Sequence, residues 1–175
     1  MIKKDILKLL HDKHEDFFNL LDVMPLDVFN AHVENKWSPH QNLDHIRRSV
    51  RPLALGYRLP KFLIRLIAGK SNRPSRTYDA LVTRYTEKLT PGVGARGRFV
   101  PGVSNLQGKE EMIQKIKSYV RAIIQAVENN WSEEELEIYV FPHPLLGKLT
   151  AREMLYFTAY HVQHHKEIVK KYYCS

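Results

Sequence analysis

The sequence holds a single cysteine, Cys174, next to its last residue. No intramolecular disulfide can form, and a cluster of thiolate metal ligands is excluded. A reducing compartment suits such a chain best. Long apolar runs are missing too: nothing approaches the roughly 20 residues that a membrane-spanning helix needs, the nearest stretch being the mixed run from Lys61 to Ala68. The first residues, Met1-Ile2-Lys3-Lys4-Asp5, interrupt their apolar positions with charge and show no signal-peptide core. These absences lead us to expect a cytoplasmic protein. Internal repeats and low-complexity tracts are not seen either.

What is present fits one globular domain spanning residues 1–175. The chain is 43% apolar and 26% charged, an ordinary composition for a domain with a single core. Acidic residues are scarce in one region only. Between Arg47 and Arg98 there are thirteen Lys or Arg against two acids, Asp79 and Glu87, a local charge of +11, whereas the rest of the chain sums to −3 of the net +8. Such a stretch attracts anionic substrates, nucleic acid or lipid head groups through its field, or serves simply as a solvated face.

Apolar residues recur at helical spacing in four places. From Lys3 to Met24, Ile6, Leu9, Leu10, Phe17, Leu20, Leu21 and Met24 form one buried face, and Pro25 helps to end the segment. Ser38, Pro39 and Gln41 make a capping box with proline at the first helical position, which predicts a second helix from Pro39 to about Tyr57. Lys109 to Asn129 carries a third stripe, Met112, Ile113, Ile116, Val120, Ile123, Ile124 and Val127. Thr150 and Glu153 make another capping box, opening a last helix that runs to about Tyr173. Between the second and third helices Pro91-Gly92, Gly94, Gly97, Pro101-Gly102 and Gly108 mark a long irregular crossover, with a short helix allowed over Leu59–Ala68. A small β element has room only within Gly69–Gly108, and nothing there alternates convincingly. The predicted fold is all-α: a four-helix bundle with a long connection between helices two and three.

Nine histidines are many for this length, and their placement matters more than their number. On a helical wheel His161 and His165 fall among Met154, Phe157, Ile168 and Tyr172, in the middle of the last helix's apolar face. Imidazoles turned into a core must satisfy their ring nitrogens or carry a cost of about 1–3 kcal/mol. Two core histidines bonded to carbonyls or hydroxyls meet that demand, and so does a metal ion shared across one helical turn. His164 lies at the edge of the face. Two ligands hold a divalent ion weakly, so a third must come from elsewhere. Periodicity alone makes His45 a partly exposed polar residue off the Leu43/Ile46/Val50 stripe, and His11, His14, His32 and His40 are expected at the surface.

Trp37-Ser38-Pro39-His40-Gln41-Asn42-Leu43-Asp44-His45, then His143-Pro144-Leu145-Leu146-Gly147-Lys148-Leu149-Thr150, then Tyr160-His161-Val162-Gln163-His164-His165 occur in this order. Together they resemble the DinB/YfiT-like superfamily: a tryptophan-led helix start before a ligand histidine, an HP-x-x-G-x-L-T segment opening the last helix, and an HxxxH pair within it. The match covers both ends of the bundle and leaves out the basic connection. The resemblance implies His45, His161 and His165 as a metal-binding triad for zinc or nickel. It also implies an antiparallel up-down-down-up four-helix bundle, often a homodimer.

The resemblance supplies no single reaction, because such proteins include thiol-dependent S-transferases and isomerases. A metal-dependent thiol S-transferase acting on a low-molecular-weight thiol is the first expectation, with Arg47, Arg48 and Arg51 available for the carboxylates of such a substrate. A non-catalytic bundle with a structural ion, and a metal-dependent hydrolase, are the alternatives. A binder of anionic surfaces using Arg58, Lys61, Phe62, Leu63, Ile64, Arg65 and Ile67 is a third class; no nucleic-acid motif is present.

Overall fold

Three capping boxes, each a Ser or Thr answered by Gln or Glu three residues on, set where helices begin. The computed structural model describes residues 1–89, 94–102 and 108–174. The chain runs through α1 (Lys3–Asp22), α2 (Leu26–Asn30), α3 (Pro39–Gly56), α4 (Lys61–Ala68), α5 (Tyr78–Lys88), a single 3₁₀ turn (Gly97–Phe99), α6 (Lys109–Asn130), α7 (Glu133–Ile138), the strands β1 (Val140–His143) and β2 (Gly147–Thr150), and α8 (Ala151–Tyr173). Ser38 and Gln41 cap α3 reciprocally, as Thr150 and Glu153 cap α8. Both boxes satisfy amides that a helix start leaves without partners.

The protein is mostly helical. Its four long helices touch in a closed circuit: α1 packs on α8 and α6, and α3 packs on α6 and α8. Ile6, Leu10 and Phe17 of α1, Leu43 and Ile46 of α3, Ile116 and Ile123 of α6, and Leu155 and Val162 of α8 are all buried between them. Each such side chain contributes about 1.5–3 kcal/mol on leaving water. One end of the circuit is tied by Tyr57, whose hydroxyl donates to the Ala151 carbonyl at 2.7 Å while its own carbonyl accepts from the Trp131 indole at 2.9 Å. No helix among the described residues is long and apolar enough to cross a membrane.

The connections depart from expectation. Pro25 ends α1 and also opens α2. The basic crossover contains α5, capped by Thr77, as well as α4. Ser132 and Glu135 form a third capping box that starts α7 in a passage expected to be loop. The sheet lies in that same passage and not within Gly69–Gly108, where the described residues hold only an isolated bridge from Lys70 to Tyr139. Pro91-Gly92 falls outside the described residues.

Candidate metal centre

The geometry of α3 brings His45 to the centre of the molecule. Its polar flank is covered by α8 on one side and by the 3₁₀ turn on another, so the residue is buried although it lies off the apolar stripe. Asp44 holds that cover in place. Its carboxylate accepts from the Gly102 amide at 3.0 Å and from the guanidinium groups of Arg47 and Arg48, each at 2.7 Å. Burial pushes the Asp44 carboxyl up, but these donors outweigh it and hold the group below the usual carboxylate range.

His161 and His165, one turn apart on α8, meet His45 there. The Nε2 atoms of His45 and His161 are 3.1 Å apart, and those of His165 and His161 are 3.2 Å apart. One ligand atom from each of the three lies within 4.8 Å of the others. The outer nitrogens fix the protons. His45 Nδ1–H donates to the Phe99 carbonyl at 2.7 Å, since a carbonyl can only accept. His165 Nδ1–H donates to Asn42 Oδ1 at 2.7 Å. The amide orientation of Asn42 follows from its nitrogen, which donates to the carbonyls of Trp37 at 3.0 Å and Ser38 at 2.9 Å.

Two of the three inner nitrogens therefore present lone pairs, and His161 has at most one proton to offer between them. At least one of these lone pairs is then left without a donor, unless a cation stands at the common point. The fit to an ion is good. Bonds of about 2.1 Å set neighbouring nitrogens about 3.0–3.4 Å apart for octahedral to tetrahedral angles, and neutral imidazoles suit borderline divalent metals. Burial, then the neighbouring imidazoles, lower the affinity of His161 and His165 for protons well below that of a free imidazole. His45 is lowered by burial, partly opposed by its bond to the Phe99 carbonyl. All three are thus neutral and ready to ligate.

Aromatic walls fix the rings. Trp37 stacks on His165 at 6.1 Å and touches His45 at 5.1 Å, while Phe157 stacks on His161 at 4.9 Å. The triad opens onto a cavity of about 570 Å³ whose apolar walls include Leu53, Tyr85, Phe99, Phe141 and Ile168. Arg96 and Arg98 line it. Arg47 and Arg48, expected at the substrate, spend their guanidinium groups on Asp44, and Arg51 is exposed away from the lining. His164 sits at the edge, as expected, and also faces the cavity.

The HP-x-x-G-x-L-T segment is built as a turn. His143 Nδ1 accepts from the amides of Leu145 at 3.1 Å and Leu146 at 3.0 Å. Gly147 has φ +77°, a conformation that other residues rarely adopt. Leu149 enters the core and Thr150 caps α8. Two histidines expected at the surface are buried: His14, between α1's core positions Leu10 and Phe17, and His40, whose ring meets Phe29 of α2 at 5.6 Å. Sequence reasoning also missed Asn42 and Phe99 as the partners that orient the triad. Asn42, three residues before His45, carries a readable side chain; the Phe99 contact runs through a backbone carbonyl and leaves no residue-type signal.

No curated protein and no solved structure matches the chain. The sequence profile of the DinB superfamily does, over residues 9–169, a span that contains all three histidines and all three motif segments. With that match covering most of its length, the chain belongs to the DinB superfamily.

Proposed function

We propose that this protein holds one divalent ion, zinc or nickel, on His45, His161 and His165, and acts as a metal-dependent S-transferase for a low-molecular-weight thiol. The observation that carries the reading is the convergence of three buried imidazole nitrogens, two of them with their protons drawn to the opposite side of the ring, on the wall of an accessible cavity. The circuit of contacts among α1, α3, α6 and α8 supports the up-down-down-up antiparallel bundle that goes with this reading. When bound, such an ion supplies Lewis acidity and favours a sulfur ligand as thiolate.

The chain's own residues do the rest. Phe99 and Asn42 hold His45 and His165 in the tautomer that faces the ion. Trp37, Phe141 and Phe157 exclude water from the cavity floor. Arg96 and Arg98 are positioned to receive the carboxylates of a charged thiol. A purely structural ion would be closed by a fourth protein ligand, and the described residues bring together three.

The test is a panel of cellular thiols offered with a chromogenic electrophile to the zinc- or nickel-loaded protein. Thiol-dependent turnover that stops on chelation and in His161→Ala is the expected result. Ester cleavage without thiol would replace transfer by hydrolysis, and inactivity across the panel would reduce the ion to a tie between α3 and α8.

A further inference from the structure

The short helix α4 is turned the wrong way round for a surface helix. Ile64 and Ala68 face the protein and are buried, whereas Phe62 is 68% exposed, Leu66 80% and Ile67 69%. At about 100° per residue, Leu66 lies about 180° from the midpoint of Ile64 and Ala68, so it points straight outward with Phe62 and Ile67 on either side. Leu55 near the end of α3 and Leu59 in the connection to α4 are exposed as well. Neither the cavity at the triad nor the one beside Glu133 and Arg152 is lined by these residues. They form a ridge.

The stretch of sequence that carries the ridge bears charge of one sign. From His45 to Tyr78 the sequence contains no Asp or Glu and nine Lys or Arg. Lys61 is neutralised, pairing with Glu135 at 3.2 Å from across the α4–α7 junction and resting over Trp131. Arg58, Arg65 and Lys70 are exposed and have no ion pair among the described residues. On the wheel Arg65 borders Phe62, and Arg58 and Lys70 stand at the two ends of the helix. An exposed apolar arc flanked by cations is unfavourable in water and complementary to a surface that is apolar inside and anionic at its rim. A convex ridge suits a fluid interface that moulds around it better than a rigid partner that would need a matching groove.

We propose that α4, with Arg58, Arg65 and Lys70, is a docking surface for an anionic lipid membrane, which it engages from one side by inserting Phe62, Leu66 and Ile67 among the head groups. The surface is separate from the triad, so docking is the same for metal-loaded and metal-free protein.

Flotation of the full chain with vesicles tests this. Wild type is expected to float with vesicles of phosphatidylglycerol and phosphatidylcholine in equal parts, and to stay behind with phosphatidylcholine alone. Arg58→Glu with Arg65→Glu, and separately Phe62→Ser with Leu66→Ser, should each lower the bound fraction on the order of tenfold, with unchanged circular dichroism. High salt should mimic the first pair. No flotation on anionic vesicles, or flotation that ignores both variant pairs, overturns the proposal. So does a concentration-dependent doubling of mass abolished by Leu66→Ser, which would assign the ridge to a second copy of the chain.

Discussion

The start and the middle of α8 bury polar side chains in opposite ways. Near its start, Glu153 is fully buried, and its carboxylate accepts from the Arg73 guanidinium at 2.7 and 2.8 Å, from the Arg76 amide at 2.9 Å and from the Thr150 amide at 3.0 Å. Burial drives this carboxyl up, and Arg73 with the two amides more than reverses it, so the group stays ionised. Two turns on, His161 and His165 are buried as deeply, yet their inner nitrogens face each other and His45 instead of protein donors. The first cluster is complete without any ligand. In the second, His45 and His165 have outer partners while the inner nitrogens have only one another, and that asymmetry separates a structural polar network from a site built around something else.

The contrast is sharpened first by breaking the closed cluster. Glu153→Ala should cost about 3–5 kcal/mol by leaving Arg73 and the capped amides without their shared acceptor, seen as a lower midpoint in urea, while zinc stoichiometry of the folded protein stays at the wild-type value. Should zinc be lost as well, the start and the middle of α8 are one unit and the distinction fails.

Acid provides the next test. His14 donates Nδ1–H to the Leu10 carbonyl at 2.8 Å, and its Nε2 is buried without a partner among the described residues. Burial lowers its pKa from 6.5 to about 4. The unfolded chain therefore takes up a proton between these values and the folded one does not, so stability is lost as pH falls from 6.5 to about 4 and is unaffected by this group above that window. The loss is on the order of 3 kcal/mol. In His14→Leu the denaturation midpoint should fall less steeply across the same range; an unchanged slope would assign the acid sensitivity elsewhere.

A smaller effect tests the outer side of the triad. Asn42→Ala should weaken zinc binding about 10–100-fold by releasing the His165 ring, and Asn42→Asp, which keeps the acceptor for His165 but turns an oxygen onto the Trp37 and Ser38 carbonyls at 3.0 and 2.9 Å, should recover only part of that loss. A competition titration with a chromophoric chelator reads both. Equal affinities in all three proteins would mean that the outer hydrogen bond does not orient the ligand.

Much of this was readable from residue order alone. The four long helices follow from their three- and four-residue apolar spacing, and the capping boxes at Ser38 and Thr150 put their starts within a residue. The same signal stood at Ser132–Glu135 and was passed over because six acid-rich residues offer a single core position, Leu136. Helix α5 shows only Leu81 and Tyr85 to the core, too few for a period. The hairpin does not alternate: Val140 and Phe141 are both buried, as are Leu149 and Thr150. His45 was invisible to periodicity because α3 is covered on more than one side, which widens its buried arc beyond a single stripe. His14 did fit the spacing of Leu10 and Phe17, and only its polarity argued it outward. That the three histidines meet was an expectation of the family resemblance; that they ligate an ion is our proposal.

The most direct measurement is elemental analysis of the purified protein beside His45→Ala and His161→Ala, with circular dichroism to establish that all three are folded. About one equivalent of zinc or nickel in wild type, falling to near zero in both variants, is the predicted result. Equal metal content in all three, or none in wild type after incubation with either ion, would contradict it.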